Sequence, residues 1–363
     1  MARPDVLLVS LGTTLGWRVA DEQLLAQLGA AGAAVAAVSV RRGASDRLRR
    51  GYPVNDFVEM YAARRTVSTA VVRHEPRALI VSSTTAAMAL PRLPMPYAVR
   101  FDAPARLNRP GARNAPLHAL ERRAMSRACI TIPFSEAGAE AQPEGAAAPV
   151  VVSPPIDPSG PPVAPEARDR LAVAYTPDAK AKGLDVVVAG WVGAAIPDAR
   201  LAVYGIDPDV ARAHLRRSGV PEPDSVELRG TVAAEEFRAS LRRARVYVAG
   251  ARWEDWGQAP LEALADGALL ATVPSGGPYE GLRLARRLEQ SLVAGEVEGA
   301  ALALAVRAAF ELPDERMRAY QRQAAELTSP FRSEAVQETV TRELLPALLA
   351  PTPPRPPAAD GAR

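Results

Sequence analysis

The chain of 363 residues is poor in cysteine, histidine and lysine. A single thiol, Cys129, cannot build an intrachain disulfide framework; it fits a reducing compartment and an apolar strand. His74, His118 and His214 are too scattered to read as a ligand set, so no metal site is expected. Aromatic residues make up 5% and do not interleave with the arginines, and the net charge is only +3. Both facts exclude a nucleic-acid platform. No long uncharged apolar run could span a bilayer, and Arg3-Pro4-Asp5 leads into a strand pattern in place of a signal peptide. These absences predict a soluble, cytoplasmic protein. Clusters such as Arg47, Arg49 and Arg50 read as solvated faces. Weak peripheral contact with the inner face of the membrane is the other use of this mild basicity.

Lysine is the telling scarcity. Of 44 Lys plus Arg, only Lys180 and Lys182 are lysines, and both fall in Lys180-Ala181-Lys182-Gly183. Arginine and lysine are not interchangeable around phosphate oxygens. Lysines kept in one place point to a site that wants a compact ammonium.

Short apolar runs alternate with amphipathic helix patterns through most of the chain. In the first half the predicted strands are Val6–Leu11, Val35–Val40, Ala78–Ser82, Tyr97–Phe101, Cys129–Ile132 and Val150–Val152. Helical patterns cover Asp21–Leu28, Phe57–Arg73 and Pro116–Ser126. In the second half the strands are Leu171–Tyr175, Leu201–Tyr204, Val226–Arg229, Val246–Ala249 and Leu269–Val273. Leu184–Ala195, Pro208–Arg217, Ala234–Arg243 and Pro260–Asp266 are the helices between them. Continuous apolar strands alternating with helices predict an α/β protein with two parallel sheets, each covered on both faces. Between the two series lie Pro154, Pro155, Pro158, Pro161, Pro162 and Pro165, a density that cannot pair into a sheet and reads as a linker. An amphipathic helix over Ser333–Leu349 closes the chain ahead of a Pro- and Ala-rich tail expected to be disordered.

The richest stretch runs from Trp253 to Gly267. Glu254 and Glu262 are separated by seven residues, with Gly257 between them. The segment leaves a strand and opens a helix at Pro260, where a missing N–H costs nothing. Amides around Gly257, Gln258 and Ala259 would point out of the helix N-terminus, a ready site for a phosphate. Gly257 lets the backbone approach closely. Glu262 is expected in the first turn, where the helix dipole favours a carboxylate. There it can accept hydrogen bonds from a ribose diol, and Glu254 from hydroxyls of a sugar. A glycosidase acid/base pair is the rival use of two carboxylates, but nothing else supports hydrolysis.

With these residues in view, Arg170 to Leu349 resembles the nucleotide-sugar half of glycosyltransferase family 4, the retaining enzymes of the GT-B fold. The resemblance rests on Tyr175 through Lys182-Gly183-Leu184-Asp185, on Leu201-Ala202-Val203-Tyr204-Gly205, and on Val226-Glu227-Leu228-Arg229-Gly230-Thr231 with Glu235 and Glu236. The spaced glutamates with Glu262–Gly267, and the helix after Phe331, complete it. It implies two Rossmann-like parallel-sheet domains facing a central cleft, with the C-terminal helix crossing back to the first domain. The implied boundaries are 1–153 for an acceptor domain, 154–168 for the linker, 169–330 for the nucleotide-sugar domain, 331–350 for the crossover helix and 351–363 for the tail. It implies retaining transfer from a nucleotide-diphosphate sugar, without metal or cofactor, to an unidentified saccharide, lipid-linked or small-molecule acceptor. Lys182 would neutralise the departing diphosphate and Glu254 would bind the donor sugar; these two form the expected catalytic pair. Lys180, Gly205, Gly230, Gly257, Gln258, Ala259 and Glu262 would complete the donor site.

The pattern departs from the family in two respects. An arginine usual five or six residues before the lysine is replaced by Pro177 and Thr176, and Asp255 follows the first glutamate where glycine is usual. Two alternatives therefore stand beside transfer: a non-catalytic nucleotide-sugar-binding protein and a nucleotide-sugar epimerase. In the first half, Gly12-Thr13-Thr14-Leu15-Gly16-Trp17-Arg18 is not a dinucleotide fingerprint. By the resemblance it is a loop facing the cleft, with Gly12, Gly16, Arg18 and, after a later strand, Asp102 as acceptor-side candidates. Trp17 could stack on an acceptor or anchor the core. Asp207-Pro208-Asp209 mimics a metal motif but reads as a proline turn with a helix cap.

Overall fold

The computed structural model describes residues 3–12, 14–40 and 54–350. Arg47, Arg49, Arg50, Thr13 and the tail 351–363 lie outside the described residues. The chain divides into two compact units. Unit 1 runs to Val152 and takes up the chain again from Gln337, and unit 2 is Ser153–Val336.

Unit 1 is built on β1 (Val6–Ser10), β2 (Val35–Ser39), β3 (Ala78–Ser82), β4 (Tyr97–Phe101) and β5 (Ile130–Pro133). They form one sheet in the order β2-β1-β3-β4-β5, all parallel. Every residue of β1, β3 and β4 is buried, as a strand covered on both faces demands. Leu7, Leu79, Val81, Val99, Phe101 and Met125 meet in one core. Truncating one such leucine to alanine costs roughly 2–5 kcal/mol. The predicted strand Val150–Val152 does not form. Pro149 makes only an isolated bridge to Thr131, with single bonds from the Val150 and Val152 amides to β5. Proline has no ladder donor, and Pro154 and Pro155 follow at once.

Unit 2 is built on β6 (Asp169–Tyr175), β7 (Arg200–Tyr204), β8 (Val226–Gly230), β9 (Ala244–Ala249) and β10 (Leu269–Thr272). Their order is β10-β9-β6-β7-β8, again all parallel. The chain lays β7 and β8 to one side of β6, then returns to place β9 and β10 on the other. The connections from β6 and β9 thus run on to opposite sides of the sheet, and such a switch point is where open α/β sheets bind ligands.

The Pro-rich segment has no regular structure before Pro165, but it is tied to unit 2. The Ile156 amide donates to Phe331 O, and the Ser159 amide to Asp266 Oδ1 at 2.6 Å. The terminal helix is not continuous. Ser333–Thr339 and Leu345–Leu349 are α-helical and Val340–Leu344 is a π-turn. Pro346 has no N–H for the i→i−4 ladder, and the wider turn ahead of it absorbs the gap. Val340, Leu344 and Leu348 are buried, and Gln337 Nε2 donates to Gln27 O at 3.0 Å. The helix thus joins unit 1.

Candidate functional site

The loop after β6 carries Thr176 to Gly183 into the helix Leu184–Ala194. Asp178 shapes it. Its Oδ1 accepts from the Ala181 amide at 2.7 Å and its carbonyl from the Lys182 amide at 2.9 Å. Gly183 closes the turn in the left-handed region, φ +62°, and a Cβ there would collide with Gly250 O at the end of β9. The loops after β6 and β9 therefore touch through backbone, and only glycine permits it. Arg252 fastens them further with a bidentate pair to Asp185 at 3.0 and 2.6 Å.

That contact brings Lys182 and Glu254 together across 72 residues of sequence. Lys182 Nζ lies 2.7 Å from both carboxylate oxygens of Glu254. The side chains are 29% and 13% exposed. Burial raises the Glu254 carboxyl above its ordinary range, and the Lys182 ammonium pulls it back. The backbone of Glu254 is held from the next loop, its amide donating to Gly276 O at 3.0 Å. Ser275 Oγ donates to Ala251 O at 2.6 Å, and Gly277 leaves no room for a Cβ against Glu254 O. Ser275-Gly276-Gly277 is thus a brace for Glu254. Asp255 accepts from Trp253 Nε1 at 2.8 Å, and the buried Trp256 ring stands edge-on to Phe331 at 5.3 Å.

The helix that follows is Gln258–Ala265, capped by Gly257 at φ +80°. It starts two residues before the expected Pro260, because left-handed Gly257 already turns the chain into the helix. Glu262 is therefore its fifth residue and not in the first turn, where the helix has no acid. The helix dipole fades within that turn, so side chains must hold Glu262. Gln258 Nε2 donates to its Oε1 at 3.0 Å, and Arg238 Nη1 lies 3.8 Å from the same oxygen. Burial raises the Glu262 carboxyl, opposed by Arg238 and Gln258. The first intrahelical bond runs from the Leu261 amide to Gly257 O. The amides of Gln258 and Ala259 precede it and carry the helix's unsatisfied N-terminal donors.

Lys180 is exposed, and its carbonyl accepts from Arg252 Nη1 at 3.3 Å. Gly205 and Gly230, both at positive φ, are joined by a backbone bond of 2.8 Å. The missing Cβ of Gly205 makes room for the Tyr175 ring, a packing reason for that glycine. Thr176, in the place of the usual arginine, is 1% exposed, and its Oγ1 has no partner among the described residues. The sequence reading missed Arg238, Asp266, Arg252 and Phe331. Asp266 carried no local signal: its side chain is 1% exposed, and the cation that pairs with it is 28 residues upstream.

In unit 1 the expected loop is shorter than predicted. Thr14 Oγ1 accepts from the Trp17 amide and caps the helix Leu15–Ala30, which takes in Gly16, Trp17 and Arg18. Gly12, at φ +55°, accepts from Arg18 Nη1 at 3.1 Å. A Cβ on Gly16 would meet open space, so packing does not require glycine there. Trp17 Nε1 donates to Asp102 Oδ2 at 3.0 Å, and its ring lies 4.9 Å from Phe134. Beneath them Arg100, 1% exposed, pairs with Asp21 at 2.6 Å, and Asp21 also accepts from Ser10 and Ser82 Oγ. Burial lowers Arg100 to about 10, and Asp21 opposes that shift. Cys129 is half-buried with its thiol on Tyr97 O, and Asp207 caps its helix through the Asp209 and Val210 amides. Among the described residues no three His, Cys, Asp or Glu side chains group as metal ligands, and no helix is long and apolar enough to cross a membrane.

Residues 165–326 match the family described as Glycosyl transferases group 1, a span that contains Lys182, Glu254 and Glu262. No curated protein sequence matches the chain at a significant level. Among solved structures, sucrose-phosphate synthase from Thermosynechococcus elongatus is similar with a TM-score of 0.72 at 17% identity, over 92% of this chain and 96% of that one. The Anabaena protein Alr3699/HepE in complex with UDP-glucose gives 0.69 at 14% identity, over 94% and 99%. The E. coli trehalose-6-phosphate structure bound with UDP-2-fluoro glucose gives 0.67 at 10% identity, over 94% and 98%. Identities this low speak to the fold, which is GT-B.

Proposed function

We propose that the chain, whose fold is GT-B and whose residues 165–326 match the group 1 glycosyl transferases, transfers a sugar from a nucleotide-diphosphate sugar with retention and without a metal. The observation that carries this is the Lys182–Glu254 pair at the switch point of the unit 2 sheet, beside a helix N-terminus opened by left-handed Gly257. Lys182 spends two of its three donors on Glu254. It swings or shares toward the diphosphate as the donor enters, and Glu254 is released to accept from sugar hydroxyls. In the transition state charge builds on the leaving diphosphate. Once turned to the diphosphate, the ammonium and the Gln258 and Ala259 amides stabilise that charge without reorganising water. The cationic help that a metal gives in other enzymes is here assigned to Lys182. Glu262 receives the ribose diol.

The test is turnover with a panel of nucleotide-diphosphate sugars. Lys182→Ala and Glu254→Ala each lose at least about 100-fold in kcat, the scale of one lost transition-state donor, while their near-ultraviolet dichroism stays native. Near-wild-type turnover in either variant overturns the assignment. Donor binding by the wild type with no transfer and no donor hydrolysis, over a broad acceptor panel, overturns the transfer step alone.

A further inference from the structure

We propose that Arg238 is a positioning residue for Glu262. It holds one carboxylate oxygen and the charge of that group, leaving the other oxygen to accept from the donor ribose. This rests on reading Glu262 as the ribose acceptor.

Arg238 lies on the helix Ala234–Arg243, with its side chain 18% exposed, and its guanidinium is held on three sides. Nε donates to Asp266 Oδ2 at 2.8 Å, one terminal nitrogen donates to Asp157 O at 2.7 Å, and the other faces Glu262 Oε1 at 3.8 Å. Asp266 is fixed in turn. Ser159 donates to it from its amide at 2.6 Å and from its hydroxyl at 2.9 and 3.0 Å. The chain Ser159–Asp266–Arg238–Glu262 thus connects the Pro-rich segment to the second glutamate, wholly inside unit 2. With Gln258 also on Oε1, Oε2 of Glu262 is left with no protein donor among the described residues. Arg238 faces both carboxylates, and its shorter bond goes to Asp266, which Arg168 also faces. Glu262 therefore keeps acceptor capacity that a tight two-point ion pair would consume.

The charged and titratable groups facing Glu262 are Arg238, Asp266 at the end of its own helix, Tyr175 on β6 and Tyr247 on β9; Asp157 faces Arg238 from the Pro-rich segment. Burial and Asp266 push the Glu262 carboxyl up, and among the described residues Arg238 is the cation that pulls it down. Without Arg238 the carboxyl moves higher still, and Glu262 becomes the neutral acid at pH values where the wild type holds the carboxylate. A neutral acid is the poorer acceptor for a diol.

The experiment is calorimetric binding to the full chain between pH 5.5 and 8.5. The ligands are whichever of UDP, GDP or ADP binds the wild type best, and its 2′,3′-dideoxy counterpart. The wild type prefers the ribonucleotide by roughly tenfold to a hundredfold, the scale of hydrogen bonds to a charged acceptor. Arg238→Met loses that preference toward the acidic end of the range and regains it as pH rises, and Arg238→Lys keeps the wild-type pH profile. If Arg238→Met does not fold, Arg238→Gln, which keeps a donor but no charge, carries the same test. A ribo/dideoxy ratio in these variants that follows the wild type across the range overturns the proposal, as does equal weakening of both ligands. If the wild type itself shows no preference and Glu262→Gln changes nothing, the ribose reading has failed and this proposal fails with it.

Discussion

Replacing Lys182 with methionine keeps most of the side-chain volume and removes the charge that Glu254 sits against. The two 2.7 Å bonds vanish and a carboxylate only 13% exposed loses its counterion. Breaking a fully buried pair costs about 3–5 kcal/mol, whereas an exposed pair is worth ~0.2–1 kcal/mol. With Lys182 29% exposed, the expected penalty lies between, at roughly 2 kcal/mol. Its pH dependence is the sharper signature. The Glu254 carboxyl is raised in the folded protein by burial, with Lys182 opposing. A group raised on folding keeps its full contribution below the unfolded pKa, near 4.3, and loses it as pH rises through the folded value. Removing Lys182 raises that value further, so the loss deepens. The variant therefore matches the wild type closely at pH 4 and falls behind by about 2 kcal/mol at pH 8. Urea unfolding followed by tryptophan emission reads this in unit 2, which holds Trp191, Trp253 and Trp256. The double variant Lys182→Met/Glu254→Gln recovers most of the loss, because neither charge is then buried alone. A penalty equal at pH 4 and pH 8, or a coupling energy under ~0.5 kcal/mol at pH 8, would refute the reasoning.

Other outcomes follow from the same geometry. Gly257→Ala puts a Cβ 2.5 Å from the buried Tyr279 ring at φ +80°, so it costs roughly 1–2 kcal/mol for the left-handed backbone and about 1–3 for overpacking. Urea unfolding measures that cost, and calorimetry should show weaker donor binding; wild-type values in both would contradict the role given to Gly257. Gly183→Ala meets backbone, Gly250 O, which cannot move aside as a ring can. It should give the larger loss of the two, read as soluble folded yield. EDTA should leave turnover unchanged if Lys182 takes the role proposed for it; activity restored only by Mg²⁺ or Mn²⁺ would remove that role. Proton NMR of the product should show the anomeric configuration of the donor, and inversion would exclude the retaining route.

Much of the fold was legible because apolar strands write themselves as continuous runs. Ala78–Ser82 and Tyr97–Phe101 have the predicted bounds, as do the helices Pro208–Arg217 and Ala234–Arg243. Strand order was not legible, because a parallel run carries no mark of its neighbour. The errors arose where one residue reset local geometry: Thr14 capping a helix early, left-handed Gly257 opening another early, and prolines removing a sixth strand. In the candidate site, the scarcity of lysine singled out Lys182 and the spacing around a glycine singled out Glu254, and the structure pairs these two. What holds those groups was not. Arg238, Asp266 and Ser159 are brought together by packing across 107 residues, and nothing in their local sequence points from one to another.

The most direct measurement is a thermal-shift titration of the wild type and Lys182→Ala with UDP-, GDP- and ADP-sugars. A ligand that binds only the folded state at 100 times its Kd adds about 2.7 kcal/mol. The wild type should show a saturable rise in melting temperature with one donor, lost in Lys182→Ala and accompanied by turnover of that donor. No shift with any donor, or the same shift in both proteins, would contradict that expectation.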